Sequence, residues 1–112
     1  MRSYAEQRAM HARMEDARAE TERHLAIIES QIVAKAERMT ITVRTKSRQF
    51  GPNSSTWTRA DERSFQEHMS ALRFERRCEL KALTRKLARQ IGAIAAFRVR
   101  YRIDQESEQT GL

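Results

Sequence analysis

A chain of 112 residues with a net charge of +7, 33% of its residues charged and a sequence pI near 10.5 is limited to one domain with a modest core, and polyanions are its natural partners. Three glycines and one proline leave room for long uninterrupted helices, and the one cysteine, Cys78, excludes an internal disulfide and favours a reducing, cytoplasmic setting. No signal-peptide core opens the chain and no apolar run approaches about 18 residues, which excludes a membrane span and leaves a soluble intracellular protein as the expectation.

Ser3 with Glu6 forms a capping-box pattern, so a helix is predicted to begin there and to run over 3–39. It carries Met10, Met14, Ala17, Thr21, Leu25, Ile28, Ile32, Ala36 and Met39, a row stepping by fours and threes in an eleven-residue repeat of about 3.67 residues per turn. Thr40, Ile41, Thr42, Val43, Arg44 and Thr45 are β-branched and alternate, which predicts a short strand or extended segment. Gln49 to Thr56 gathers Gly51-Pro52, Asn53, Ser54 and Ser55, the composition of a turn, so 40–57 reads as extended segment and loop. Thr58 with Asp61 offers a second capping box, opening a helix over 58–96. Its apolar row, Phe65, Met69, Leu72, Leu80, Leu83, Leu87, Ile91 and Ile94, repeats the spacing of the first, with one step falling on Arg76. Beyond Ala96, the residues Phe97, Val99, Tyr101 and Ile103 alternate with Arg98, Arg100 and Arg102, which predicts a strand over 97–103. The acidic, polar stretch 104–112 is expected to be disordered.

Two rows of equal period predict an all-α fold: a long antiparallel two-helix hairpin, coiled-coil-like, forming a single domain over 1–103. One register sets Met10 opposite Leu87, Met14 opposite Leu83, Ala17 opposite Leu80, Leu25 opposite Leu72, Ile28 opposite Met69 and Ile32 opposite Phe65. A parallel arrangement would require 40–57 to run back almost fully extended along the helix. The same register puts Arg76 opposite Thr21 as a polar layer, with Glu20, Glu22 or Glu79 available to neutralise it. So small a core calls for a partner, and a homodimer forming a helical bundle is the simplest one, with Ala71, Phe74, Cys78 and Ala82 as its second contact face. The expected strand also needs a neighbour: either its own copy across a dimer axis or Ile41 to Lys46 of a second chain.

The charge is unevenly placed. Residues 1–38 hold seven basic and seven acidic side chains, whereas 39–60 hold Arg44, Lys46, Arg48 and Arg59 with no acid. On the second helix Arg73, Arg77, Lys81, Arg85 and Arg89 recur at four-residue steps, about 6 Å apart, with no carboxylate three or four positions away in the same helix. Such a row matches the repeat of a phosphate backbone, and Phe74 beside it is placed to stack on an unpaired base. Arg44, Lys46 and Arg48 in the connection, and Arg98, Arg100 and Arg102 on one face of the predicted strand, extend the candidate nucleic-acid-binding set. The alternative for every one of these is a solvated cationic face. His11, His24 and His68 are scattered, with no metal-ligand spacing beyond the Glu20/His24 pair, and no phosphate-cradling glycine loop or nucleophile elbow occurs. The expectation is therefore no enzyme, no metal, no cofactor and no small-molecule substrate. It is a basic helical accessory protein gripping nucleic acid through phosphates, or alternatively an adaptor or inhibitor whose basic face docks on an acidic protein.

Overall fold

The structure, a computed structural model, describes residues 3–47 and 56–102. It is all-helical: α1 spans Tyr4–Ser47, α2 Arg59–Glu75 and α3 Arg77–Tyr101, with no strand among the described residues. Contacts gather the chain into two compact units, one comprising Met1–Leu25 with Lys81–Leu112, the other Ala26–Leu80. The Gly51-Pro52 turn, Arg48, Ile103 and the stretch 104–112 lie outside the described residues.

Both helix starts form as their sequences require. Ser3 Oγ accepts the Glu6 amide at 3.1 Å, and its carbonyl accepts the Gln7 amide at 2.9 Å. At α2 the box is reciprocal: Thr58 Oγ1 accepts from the Asp61 amide at 3.2 Å, while the Thr58 amide donates to Asp61 Oδ2 at 2.8 Å. Two donors that would otherwise be orphaned are thereby satisfied. Thr58→Ala is expected to lower stability by about 1 kcal/mol, read as a lower urea midpoint with unchanged helical signal in the native state.

The two segments expected to be extended are helical. Thr40 to Thr45 continues α1 to Ser47, because β-branching costs only a few tenths of a kcal/mol per residue in a helix and the threonine hydroxyls find acceptors one turn back. Thr40, Thr42 and Thr45 donate to the carbonyls of Ala36, Arg38 and Ile41 at 2.8, 2.9 and 2.8 Å. Thr40 is buried at 1% exposure, so its hydroxyl had no solvent alternative. Likewise α3 passes Ala96 and runs to Tyr101. Phe97 and Tyr101, one turn apart, pack ring to ring at 4.6 Å, a contact that exists only at helical spacing. Arg102 then adopts φ 50°, the left-handed conformation that ends many helices.

The helix expected over 58–96 is divided at Arg76, where φ −100° and ψ 15° separate α2 from α3. This is the position at which the apolar row loses a step. The hydrogen-bond ladder still crosses it, from the Arg76 amide to Leu72 O at 3.1 Å and from the Leu80 amide to Arg76 O at 3.0 Å. The guanidinium bonds Gln31 Oε1 at 2.8 Å and pairs with Glu79 at 3.0 Å, one of the carboxylates the sequence offered.

In the Ala26–Leu80 unit, Ile28, Ile32, Ala36, Met69 and Leu72 form the buried core. The order of the polar contacts, Arg44 with Asp61 and Arg73 with Glu29, shows α1 and α2 running in opposite directions. Yet the register differs from the expected one. Phe65 shares a cavity with Glu37 and Ile41, and Ile32 shares one with Leu72; the two rows are displaced by about two turns. The other unit shows the same shift: Leu83 lies with Ala17, Thr21 and His24 rather than opposite Met14. There Thr21 and Ile94 are buried, with Met14, Leu25, Leu83, Leu87 and Phe97 half-buried around them. Ile91, assigned to the apolar row, is 41% exposed, and its neighbour Gln90 turns inward, its amide donating to Ala17 O at 3.3 Å.

Candidate functional site

On α3, within the unit containing Lys81–Leu112, the cationic row survives as three residues. Lys81, Arg85 and Arg89 are exposed at four-residue steps, about 6 Å each, and none has a side-chain partner among the described residues. Lys86, which sequence reasoning did not single out, is exposed beside them and lines a cavity of about 220 Å³ with Glu20, His24 and Gln90. Four cations on one stretch of helix, unneutralised, form a field that attracts phosphate.

Arg98, Arg100 and Arg102 do not form the single face that a strand would have given them. In a helix, residues two apart point about 200° away from each other, and Arg98 is consumed internally. It donates through Nη2 to Glu15 Oε1 at 2.7 Å and through Nε to His11 Nε2 at 3.0 Å. The His11 ring also stacks on Phe97 at 6.3 Å. Arg98 thus latches α1 to α3. Arg100 is exposed and lies 5.3 Å over the ring of Tyr101, and Arg102 is exposed at the helix end.

In the Ala26–Leu80 unit the remaining candidates divide between structural and available cations. Arg73, expected to be free, reaches across to Glu29 through two hydrogen bonds, 3.0 Å at the shorter; that bond holds its guanidinium charged beyond the ordinary arginine range. The missed partner is 44 positions away in sequence. Arg77 folds onto exposed Phe74, its guanidinium 3.9 Å from the ring centre and its Nη1 donating to Phe74 O at 2.8 Å. Phe74 remains 64% exposed.

Arg44 is a packing residue: its side chain is 11% exposed, donates to Thr56 O at 2.6 Å and lies 3.7 Å from the nearly buried Asp61. Arg44→Met is expected to cost about 1–3 kcal/mol by stripping the buried carboxylate of a cation, while leaving the salt dependence of polyanion binding unchanged; thermal unfolding and a salt titration check the two halves separately. Lys46 is exposed in the last turn of α1, and Arg48 lies outside the described residues. A concavity of about 410 Å³ was not foreseen: Lys35 and Arg38 of α1 line it together with Glu75 and the Glu79-paired Arg76. Their spacing of one turn on α1 was the available signal, obscured by the even charge balance of residues 1–38 as a whole.

One carboxylate is tuned by neutral groups. Glu62 accepts from Gln66 Nε2 at 3.0 Å and from Trp57 Nε1 at 2.9 Å, and these bonds, Gln66 first, hold its carboxyl below the ordinary 4.5. Among the described residues no three His, Cys, Asp or Glu side chains gather as metal ligands, and no helix is long and apolar enough to cross a membrane. Comparison with protein-family models finds no match, and comparisons with curated proteins and with solved structures find none either.

Proposed function

We propose that this chain is a small basic helical accessory protein that binds nucleic acid through phosphates, without strong sequence readout. The observation that carries the reading is the exposed Lys81, Arg85 and Arg89 row on α3, unpaired among the described residues. A side chain already neutralised by a neighbouring carboxylate gains little from a phosphate, whereas an unpaired one releases the counterion condensed on the backbone it meets. Lys86, and Lys35 with Arg38 one turn apart on α1, supply further phosphate contacts. Phe74, held against Arg77, offers an unpaired base a ring to stack on.

Each unit's helices act as an antiparallel hairpin in this proposal, and two copies associate into a bundle. Ala71, Phe74 and Cys78 are exposed near the α2–α3 junction and supply the second contact face; in the dimer Phe74 packs there, and base stacking is its alternative use. The single exposed thiol suits a cytoplasmic setting. The test is a salt titration against short single-stranded and duplex oligonucleotides. Association should weaken with salt on a log–log slope of about −2 to −3 for the single strand and about −3 to −4 for the duplex, the share of three to four contacts. Absence of binding, with capture instead by an acidic protein surface, would move the chain to the adaptor reading. Sedimentation at rising concentration tests the dimer, and a monomer at every concentration removes it.

A further inference from the structure

The Ala26–Leu80 unit contains a site of opposite character to the cationic rows. A cavity of about 380 Å³ opens between the end of α1 and the start of α2, lined by Glu37, Ile41, Trp57, Glu62 and Phe65. The Trp57 and Phe65 rings meet edge to face, 6.1 Å apart at 73°, and so form a corner of two aromatic surfaces. Ile41, half of its surface exposed, adds an aliphatic wall. The corner is held in place: the Trp57 indole N–H donates to Glu62 Oε2 at 2.9 Å, and Gln66 fixes the other carboxylate oxygen at 3.0 Å.

Among the described residues neither acid at this cavity is paired with a cation. Glu62 is bonded only by neutral donors, and Glu37 has no side-chain partner among the described residues. Elsewhere among the described residues Glu15, Glu22, Glu29, Asp61 and Glu79 each meet a basic side chain, as these two do not. Two uncompensated carboxylates beside two π faces and an aliphatic wall repel phosphate and attract a cation that carries apolar surface. A guanidinium suits this better than a compact ammonium, because it is planar, weakly hydrated, stacks on rings and donates in a fork to carboxylate oxygens.

We propose that this cavity receives an arginine side chain of a peptide partner, its stem against Ile41 and Phe65, its guanidinium plane on Trp57 and its N–H groups directed to Glu37 and Glu62. Trp57 is the sole tryptophan of the chain, so its emission reports this cavity alone. The experiment titrates the full chain with N-acetyl-arginine amide at constant ionic strength, with N-acetyl-norleucine amide as the uncharged stem and sodium chloride as the stemless charge. A saturable emission change is expected for the arginine derivative and for neither control. Glu37→Gln leaves the Trp57 to Glu62 bond intact and, by removing one charge at the cavity, should weaken the arginine midpoint about 5-fold or more, with helical content unchanged. Absence of saturation, an equal response to the norleucine derivative, or an unaltered midpoint in Glu37→Gln overturns the assignment.

Discussion

Replacing Lys81, Arg85 and Arg89 together by glutamine is expected to reduce oligonucleotide affinity on the order of 100-fold at about 0.1 M salt and to flatten the log–log salt slope by about 2. The magnitude follows from counting. Each phosphate contact to a single strand contributes about 0.7 to the slope, and these three side chains are exposed with no carboxylate to release first. The same arithmetic gives a contrast. Arg73 is bonded twice to Glu29 and Arg98 to Glu15 and His11, so glutamine at either position should leave the slope nearly unchanged and register instead as a small loss of stability. Fluorescence anisotropy at several salt concentrations separates the variants. Equal slopes for the triple variant and the unaltered chain would remove the α3 row as the binding surface.

That contrast is one the sequence held only in part. A search for carboxylates within one turn finds none near Arg73, because its partner Glu29 comes from another helix, and which residue lies across depends on register. Register in turn was not fixed by the apolar rows. Because both step by threes and fours, sliding one past the other by about two turns sets apolar residues on apolar residues again. What distinguishes the registers is polar: the observed one joins Arg44 to Asp61 and Arg73 to Glu29. Local features were legible, since a capping box is complete within four residues, and both Ser3 and Thr58 cap as their neighbours dictate. The alternating stretches misled because alternation alone cannot tell a strand from the end of a helix. Thr40, Thr42 and Thr45 satisfied their hydroxyls on carbonyls one turn back, and Phe97 and Tyr101 met at helical spacing. With those two segments helical, the arginine ribbon dissolved, and of the cationic row on the second half of the chain the members that remain unpaired among the described residues are Lys81, Arg85 and Arg89 on α3.

The core makes an equally sharp distinction between residues that occupy equivalent places in the apolar rows. Ile32, on α1, is 2% exposed beside Ile28 at 1% and Ala36 at 0%, while Ile91, on α3, is 41% exposed. Ile32→Ala removes methyl groups from a site that rigid helix backbone on both sides prevents from collapsing, so transfer and cavity costs add to about 2–5 kcal/mol. That is a large share of the roughly 5–15 kcal/mol that holds a domain of ordinary stability. Ile91→Ala, which already leaves much of its side chain in water, is expected to cost under about 1 kcal/mol. Urea unfolding followed by helical circular dichroism measures both. Ile32→Ala should unfold at a markedly lower midpoint, and comparable losses for the two variants would mean that the buried face of α3 passes through Ile91 rather than Gln90, restoring the register in which the apolar rows alone decide the packing.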